Sequence, residues 1–309
     1  MNFDIKRHTW RDSIWDPDQH SHKNECCDQI MSKYLNLSLG GRQDRYPDIK
    51  TGYKLLSTLC SVPEDNIYIS HGSSMIIKDL ISILEFDTIQ TFTPGFELMD
   101  VYCGIYNKKL YKNSFRYGKS TESFSHEDVL SKGGDVLYIT NPHCPTCFEY
   151  SYDNIIKYSK HFKYLIVDEA YTVPSNTDAR VLEYDNIITV KTFSKIGGVP
   201  GIRLGYCYAH ESIINKLMCV KPMYEITTTG VEYLRVCSPE LLRSSQERLN
   251  MSAKSISTKY PEHYIDHAGN FCLIKNDNKL EGKRYNIDGN QFTRLTLPDP
   301  NNLNDIYCE

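Results

Sequence analysis

Little in this sequence pulls it toward a membrane, a nucleic acid or an oxidising compartment. No apolar run reaches the ~20 residues that a membrane-crossing helix needs. The amino-terminal stretch MNFDIKRHTWRDSIWDPDQH lacks the continuous apolar core of a secretory leader. Basic residues are not in excess. The chain has 35 Lys and Arg against 39 Asp and Glu, a net charge of −4, so no positive field invites a phosphate backbone. Internal repeats and low-complexity tracts are missing, which excludes a stacked-repeat architecture. The 11 cysteines are scattered without a disulfide framework, in a chain too long to depend on one. Free thiols in a reducing, cytoplasmic setting are the expectation. Cys144 and Cys147 form a C-x-x-C beside His143, but a structural zinc site wants a second such pair and none exists. No metal is expected.

What is present suits a large core. Hydrophobic residues make up 40% of 309 residues, enough for one α/β domain and a smaller lobe. The richest stretch runs from Lys163 to Tyr208. Tyr164-Leu165-Ile166-Val167 stops at Asp168, and Ile187-Ile188-Thr189-Val190 leads to Thr192-Phe193-Ser194-Lys195. Gly201-Ile202-Arg203-Leu204-Gly205-Tyr206 follows. Short β-branched runs bounded by turn residues read as buried parallel strands. Polar residues at the carboxyl ends of such strands sit where open α/β sheets bind ligands. Asp168, Tyr171, Ser194, Lys195 and Arg203 are therefore candidates for one crevice.

That set suits pyridoxal 5'-phosphate (PLP), which needs a lysine for its aldehyde, an acid for its ring nitrogen and donors for its phosphate. Lys195 would supply the Schiff base, with its pKa lowered by burial and by Arg203 nearby. Asp168 would hold the pyridinium proton, and Tyr171 the phenolic oxygen. Ser194 and Arg203 would take the phosphate, the arginine through a forked, charge-assisted contact. Further upstream, Asn66 to Ser70 reads as a strand, then comes His71-Gly72-Ser73-Ser74, then a helix from Met75 to Leu84. A strand, a Gly-Ser turn and a helix start make an anion cradle of free N–H groups and helix dipole.

Asp168-Glu169-Ala170-Tyr171, Thr192-Phe193-Ser194-Lys195 and Gly201-Ile202-Arg203-Leu204-Gly205-Tyr206 together resemble the fold-type I PLP enzymes, closest to the histidinol-phosphate aminotransferase and threonine-phosphate decarboxylase group. The resemblance covers roughly residues 40 to 300. It implies a mostly parallel seven-stranded sheet flanked by helices, plus a small α+β lobe. The implied division is an arm at 1–40, a PLP-binding domain at 41–235 and a small domain at 236–309. By the same resemblance Gly72, Ser73 and Ser74 cradle the phosphate, with Thr192, Ser194 and Arg203. Phe96, after Thr93-Pro94-Gly95, stacks on the ring. Tyr46, in Arg45-Tyr46-Pro47-Asp48, reaches the phosphate of a second subunit, which makes the protein a homodimer. Lys221-Pro222-Met223-Tyr224 precedes a long helix joining the lobes. Asn270-Phe271 opens a small-lobe strand at the substrate, and Arg294 grips its α-carboxylate.

One motif departs from the family. Asn-Pro-x-Asn-Pro-Thr-Gly is here Asn141-Pro142-His143-Cys144-Pro145-Thr146-Cys147. The second Asn, which serves the phenolic oxygen and the carboxylate, has become Cys144, a weak donor. His143 and Asn141 are the neighbours placed to compensate. Three functions follow. The first is an aminotransferase passing an amino group between an amino acid and a 2-oxo acid through Lys195. The alternative is a PLP decarboxylase or lyase, which the change at Cys144 keeps open. The third is a non-catalytic protein of the same fold.

Overall fold

The structure is a computed structural model that describes residues 46–118, 123–126, 128–275, 282–298 and 300. The arm at 1–40 and a helix expected from Glu25 to Leu37 lie outside the described residues.

A large sheet carries the molecule. Its strands are β1 (Ile67–Ser70), β2 (Thr88–Thr93), β3 (Lys109–Gly118), β4 (Ser123–His126), β5 (Val136–Thr140), β6 (Tyr164–Asp168), β7 (Ile187–Thr192) and β8 (Gly205–Ala209). They lie in the order β1-β8-β7-β6-β5-β2-β3-β4. From β3 through β2, β5 and β6 to β7 every pairing is parallel, while β8 runs antiparallel to both β7 and β1. Strands β1 and β5 to β8 are buried at every residue. That is why they read as continuous apolar runs and do not alternate: both sheet faces are covered. Leu137, Ile139, Leu165, Val167, Tyr206 and Tyr208 build the core on one face. Tyr138, Ile166, Ile188, Val190 and Cys207 build the other.

The expected seven strands are joined by an eighth. β4 folds back on β3, pairing Phe115 with His126 and Tyr117 with Phe124. Its four residues, Ser-Phe-Ser-His, bury one side chain in the alternation, too little pattern to be read as a strand in advance.

Helices α1 (Ile49–Cys60), α2 (Ser73–Ile83), α3 (Leu98–Ile105), α4 (Tyr152–Ser159) and α5 (Glu211–Met218) flank the sheet. Asp48 caps α1 by accepting from the Thr51 N–H at 3.0 Å, which starts that helix three residues before the expected Gly52.

After Tyr224 come α6 (Thr228–Val236) and α7 (Pro239–Lys259); the sequence predicts helix from Pro239 to Lys259, and α7 has those bounds, with the shorter α6 before it. Pro239 has no N–H to continue the earlier helix, and Ser238 accepts from the Leu241 N–H to cap the next. The many polar residues from Pro239 to Lys259 predict an exposed surface helix, but one face of α7 is packed. It buries a stripe of Leu242, Ser245, Leu249, Ser252, Ala253 and Ile256. Half of that stripe is Ser or Ala, so its apolar period is faint in the sequence.

The stripe lies on a second, antiparallel sheet of β9 (Tyr264–Ala268), β10 (Phe271–Lys275), β11 (Lys283–Ile287) and β12 (Asn290–Thr296), ordered β11-β12-β10-β9. Leu249, Ala253, Ile256, Cys272, Ile274, Leu295 and Ile196 form its core. Ile196 follows Lys195, so the lysine loop is wedged between the two sheets.

Candidate active site

Asp168 stands at the carboxyl end of β6 and is 5% exposed. Its carboxylate accepts from the Tyr138 hydroxyl at 2.6 Å and from the Ala170 N–H at 3.0 Å. Burial pushes its pKa up to about 6, although Tyr138, the Ala170 amide and Lys195 all favour the ionised form. Above that value Asp168 is a buried anion held in a fixed orientation. Phe96, half-buried, has its ring 6.3 Å from that of Tyr138.

Lys195 follows β7 in the turn Phe193-Ser194-Lys195-Ile196. Its Nζ sits 5.4 Å from the centroid of the Tyr171 ring. Loss of water around the ammonium, then the positive charge of Arg294, lower its pKa to about 8. Arg203 acts in the same direction but last among the causes. The cation that tunes this lysine is therefore chiefly Arg294 from the second sheet, not Arg203 as its closeness in sequence suggested.

Arg294 lies on β12 and is 7% exposed. Its Nη1 donates to the Cys144 sulfur at 3.3 Å, and its guanidinium lies 5.3 Å from the Phe271 ring centroid. Its buried Nε has no hydrogen-bond partner. Dehydration opposes the charge, yet Cys144, Tyr171 and Tyr285 around it leave its pKa raised. A buried, fully charged guanidinium with an unpartnered N–H is built to take an anion from outside the chain.

Tyr171 reaches the same point. Its side chain is within hydrogen-bonding reach of Cys144, its ring meets Phe271 edge-on at 4.9 Å, and burial, then Cys144, push its phenol well above the ordinary value. Cys144 is thus confirmed by geometry as a neighbour of Arg294 and Tyr171. Its two expected helpers are not. Asn141 bonds the backbone of Tyr150 through both side-chain ends, at 2.9 and 3.3 Å. His143 is buried, pairs with the Thr146 hydroxyl at 2.9 Å and lies against Phe115. Burial drops its pKa to about 3, so it is neutral. Both residues brace the loop and leave the carboxylate side to Cys144. Cys147 takes the place of the family's glycine with φ +59°, a left-handed conformation that glycine adopts freely and a side chain does not.

The anion cradle forms around Gly72 and Arg203. Gly72 has φ +89° and precedes α2, whose first turn has no side-chain cap. A Cβ at Gly72 would stand 2.4 Å from Arg203 Nη2, so only glycine lets the guanidinium approach the helix start. Gly205 is held by the same packing: its Cβ would meet the backbone of Gly72 and Ser73 at 2.5 Å. Arg203 donates to the Ser194 hydroxyl at 3.4 Å and to the Pro200 carbonyl at 3.1 Å. Thr192 is buried below them; its hydroxyl accepts from the Ser194 N–H at 3.1 Å and donates to the Leu204 carbonyl at 3.3 Å. Uncapped amides at the start of α2, with Ser73, Ser74, Ser194 and Arg203 around them, fit a phosphate.

Residues 16–258 match the aminotransferase class I and II family. The chain belongs to that family. Its members use PLP. Among relatives, the histidinol-phosphate aminotransferase of Thermococcus kodakarensis is 25% identical over 240 residues, 76% of this chain and 71% of that one. The histidinol-phosphate aminotransferase of Sinorhizobium meliloti, solved in complex with pyridoxal-5'-phosphate, superposes with a TM-score of 0.72 at 15% identity, covering 87% of this chain and 83% of that one. The L-threonine-O-3-phosphate decarboxylase of Porphyromonas gingivalis gives 0.67 at 16% identity, covering 89% and 94%. These likenesses establish the transferase fold that the sequence motifs implied.

The remaining expected residues of this aminotransferase-family site fall as follows. Asn270 is buried at the start of β10, next to Gly269, whose Cα packs against the Tyr171 backbone. Tyr46 stands apart, 78% exposed and stacked on Tyr224 at 4.5 Å. Sequence reasoning missed Tyr138, Tyr285 and Lys191. Tyr285 lies on the same face of its sheet as Arg294, because Lys283 pairs directly with Arg294 and Tyr285 with Phe292. No local pattern marks any of the three; each acquires its neighbour from another strand.

Proposed function

We propose that this protein is a PLP-dependent aminotransferase that moves an amino group between an amino acid and a 2-oxo acid. The observation that supports this most directly is the meeting of Arg294, Cys144, Tyr171 and Lys195, from four distant segments, opposite a phosphate-sized cradle. Gly72, Ser73, Ser74, Thr192, Ser194 and Arg203 would hold the cofactor's phosphate, Asp168 its ring nitrogen, Tyr171 and Cys144 the phenolic side, and Phe96 one face of the ring. When bound, PLP supplies an electron sink for the pair left on the substrate's Cα. Arg294 binds the α-carboxylate, beside Asn270, and so fixes which Cα bond faces Lys195. Lys195 Nζ takes and returns the Cα proton as general base and acid. Asp168 would hold the ring nitrogen through its buried negative charge and so keep a proton there. Phe271, buried against Tyr171 and Arg294, would keep one side of the crevice apolar.

Cys144 supports a second reading, decarboxylase or lyase. A thiol cannot hold the carboxylate as an amide does, and the carboxylate's placement decides which bond is cut. The test of both is direct. Reduction with borohydride should fix a PLP-mass adduct on Lys195, mapped by peptide mass. Amino acids and histidinol phosphate are then supplied, and 2-oxo acid and carbon dioxide measured. Carbon dioxide without amino transfer overturns the first reading; an adduct on another lysine overturns the site. Loading of the apo-protein should also quicken as pH rises through about 8, because only neutral Lys195 attacks an aldehyde. A rate flat from pH 7 to 10 would contradict the lowered pKa.

The homodimer reading rests on the surface around Tyr46. Of the six large hydrophobic side chains exposed among the described residues, four, Tyr46, Met218, Val220 and Met223, belong to this region, with Tyr46 stacked on Tyr224. Exposed apolar patches of this kind mark interfaces. By the family resemblance, an isologous contact here would carry each Tyr46 to the partner's phosphate site. Light scattering at micromolar concentration should give a dimer, and Met223→Glu should shift it toward monomer. A fully active monomer would exclude shared sites. A cytoplasmic location is supported by the eight described cysteines, all of them free thiols.

A further inference from the structure

The ion pair beneath the site has no part in the roles assigned so far. Lys191, on β7, is 1% exposed. Its Nζ donates to Glu169 Oε2 at 2.6 Å and to the Thr172 hydroxyl at 2.6 Å. Lysine is almost never this buried unless it is paired. A buried pair of this kind gains little net stability, because dehydration of both charges offsets their attraction. Its geometry therefore calls for a different account.

Lys191 grips both ends of one turn. Glu169 opens it, its N–H donating to the Val190 carbonyl at 2.8 Å. Thr172 closes it, its N–H and hydroxyl both donating to the Glu169 carbonyl, at 3.1 and 2.9 Å. Tyr171 lies between the two clamped residues, and Asp168 immediately precedes them. We propose that Lys191 is a positioning residue, which pins the 169–172 turn and neutralises Glu169 so that Asp168 and Tyr171 are held ready for the cofactor ring.

The charges around Asp168 show why neutralising Glu169 matters. Asp168 faces Tyr138 from β5, Lys195 from beyond β7, and Glu169 on its own turn. Tyr138 and Lys195 favour its ionised form, whereas Glu169 opposes it. The other groups facing the ion pair are Cys60, Tyr206 and Tyr208, all pushed up by burial and neutral near pH 7. With Lys191 removed, Glu169 would be an uncompensated anion adjacent to Asp168. Asp168 would then hold its own proton to higher pH and grip the ring nitrogen only above that point.

This inference rests on the reading of Asp168 and Tyr171 as cofactor residues, so its test measures PLP binding and not turnover. Apo-protein is titrated with PLP by fluorescence quenching across pH 4.5 to 9, and thermal unfolding is followed alongside. Lys191→Met should weaken PLP about tenfold, and the acid limb of binding should move upward by about one pH unit. Lys191→Arg, which keeps the charge and the donors, should stay near the parent. In Glu169→Gln/Lys191→Met both charges are gone, and the acid limb should return to the parental position even if the melting temperature does not. A shift that persists in the double variant, or a Lys191→Met acid limb that matches the parent while only the melting temperature falls, overturns the proposal. Should Lys191→Met fail to fold, Glu169→Gln alone decides: its acid limb should move to lower pH, and an unmoved limb overturns the proposal. If the parent itself binds no PLP, the functional reading falls first, and the two failures are distinct.

Discussion

Lys195→Ala is expected to lower turnover by roughly 10²–10⁴-fold for the lost proton transfer alone, since no other amine stands where Lys195 does. Borohydride should no longer fix PLP to the chain. The cofactor should nevertheless remain bound without a covalent link, because the Tyr138 hydrogen bond to Asp168, the Gly72 turn and Arg203 stay in place. Equilibrium dialysis against PLP and a peptide map after reduction check both halves. An adduct at a different lysine, or full activity in the variant, would remove Lys195 from its proposed role. Added methylamine should restore part of the rate if proton transfer is what was lost.

Arg294→Ala should produce the second large effect. It removes a charged, forked contact worth on the order of 3 kcal/mol, so the Michaelis constant for the amino acid should rise about 100-fold. The visible absorbance of the loaded protein should persist, because Lys195, Asp168 and the Gly72–Arg203 cradle are all retained. The same change takes away the cation that most lowers the Lys195 pKa. The rise of loading rate with pH should therefore move upward from about 8. Loss of PLP on purification would instead make Arg294 a structural residue. Cys144→Asn tests the opposite side of the same carboxylate, since Cys144 touches Arg294 at 3.3 Å. An amide there offers a proper donor. If the protein transaminates, the rate should be kept or raised; if it decarboxylates or eliminates, carboxylate orientation is disturbed and the native rate should fall.

Much of this site is legible along the chain. Asp168 closes β6, Lys195 lies three residues beyond β7 and Arg203 two residues before β8, and a buried strand announces itself as a short apolar run bounded by polar or turn residues. The Gly72 cradle is legible for a similar reason: a strand, a turn with a positive φ and a helix start are consecutive in sequence, so local chemistry specifies them. Lines of local sequence also place Ser194 and Thr192, because their partners lie within a dozen residues.

Other features depend on strand pairing, which no local window contains. Cys144 and Arg294 are 150 residues apart and meet only because β12 is laid beside the loop after β5. The choice of Arg294 over Arg203 as the cation acting on Lys195 follows from that meeting. So does the use made of Cys144: the sequence shows a missing amide, and the fold puts Cys144 itself against Arg294, while Asn141 bonds Tyr150 and His143 packs on Thr146 and Phe115. Tyr138 becomes the donor to Asp168 through the register of β5 on β6, where Thr140 pairs with Asp168. Lys191 looks like any solvated lysine beside Thr192; its burial arises because β7 is central in the sheet and Glu169 and Thr172 fold under it. The sequence by itself determined the cofactor chemistry and the strands that carry it, since both depend on short-range pattern. The tertiary structure alone decided which charges stand next to which, because burial and Coulomb interaction act through space and take no account of distance along the chain.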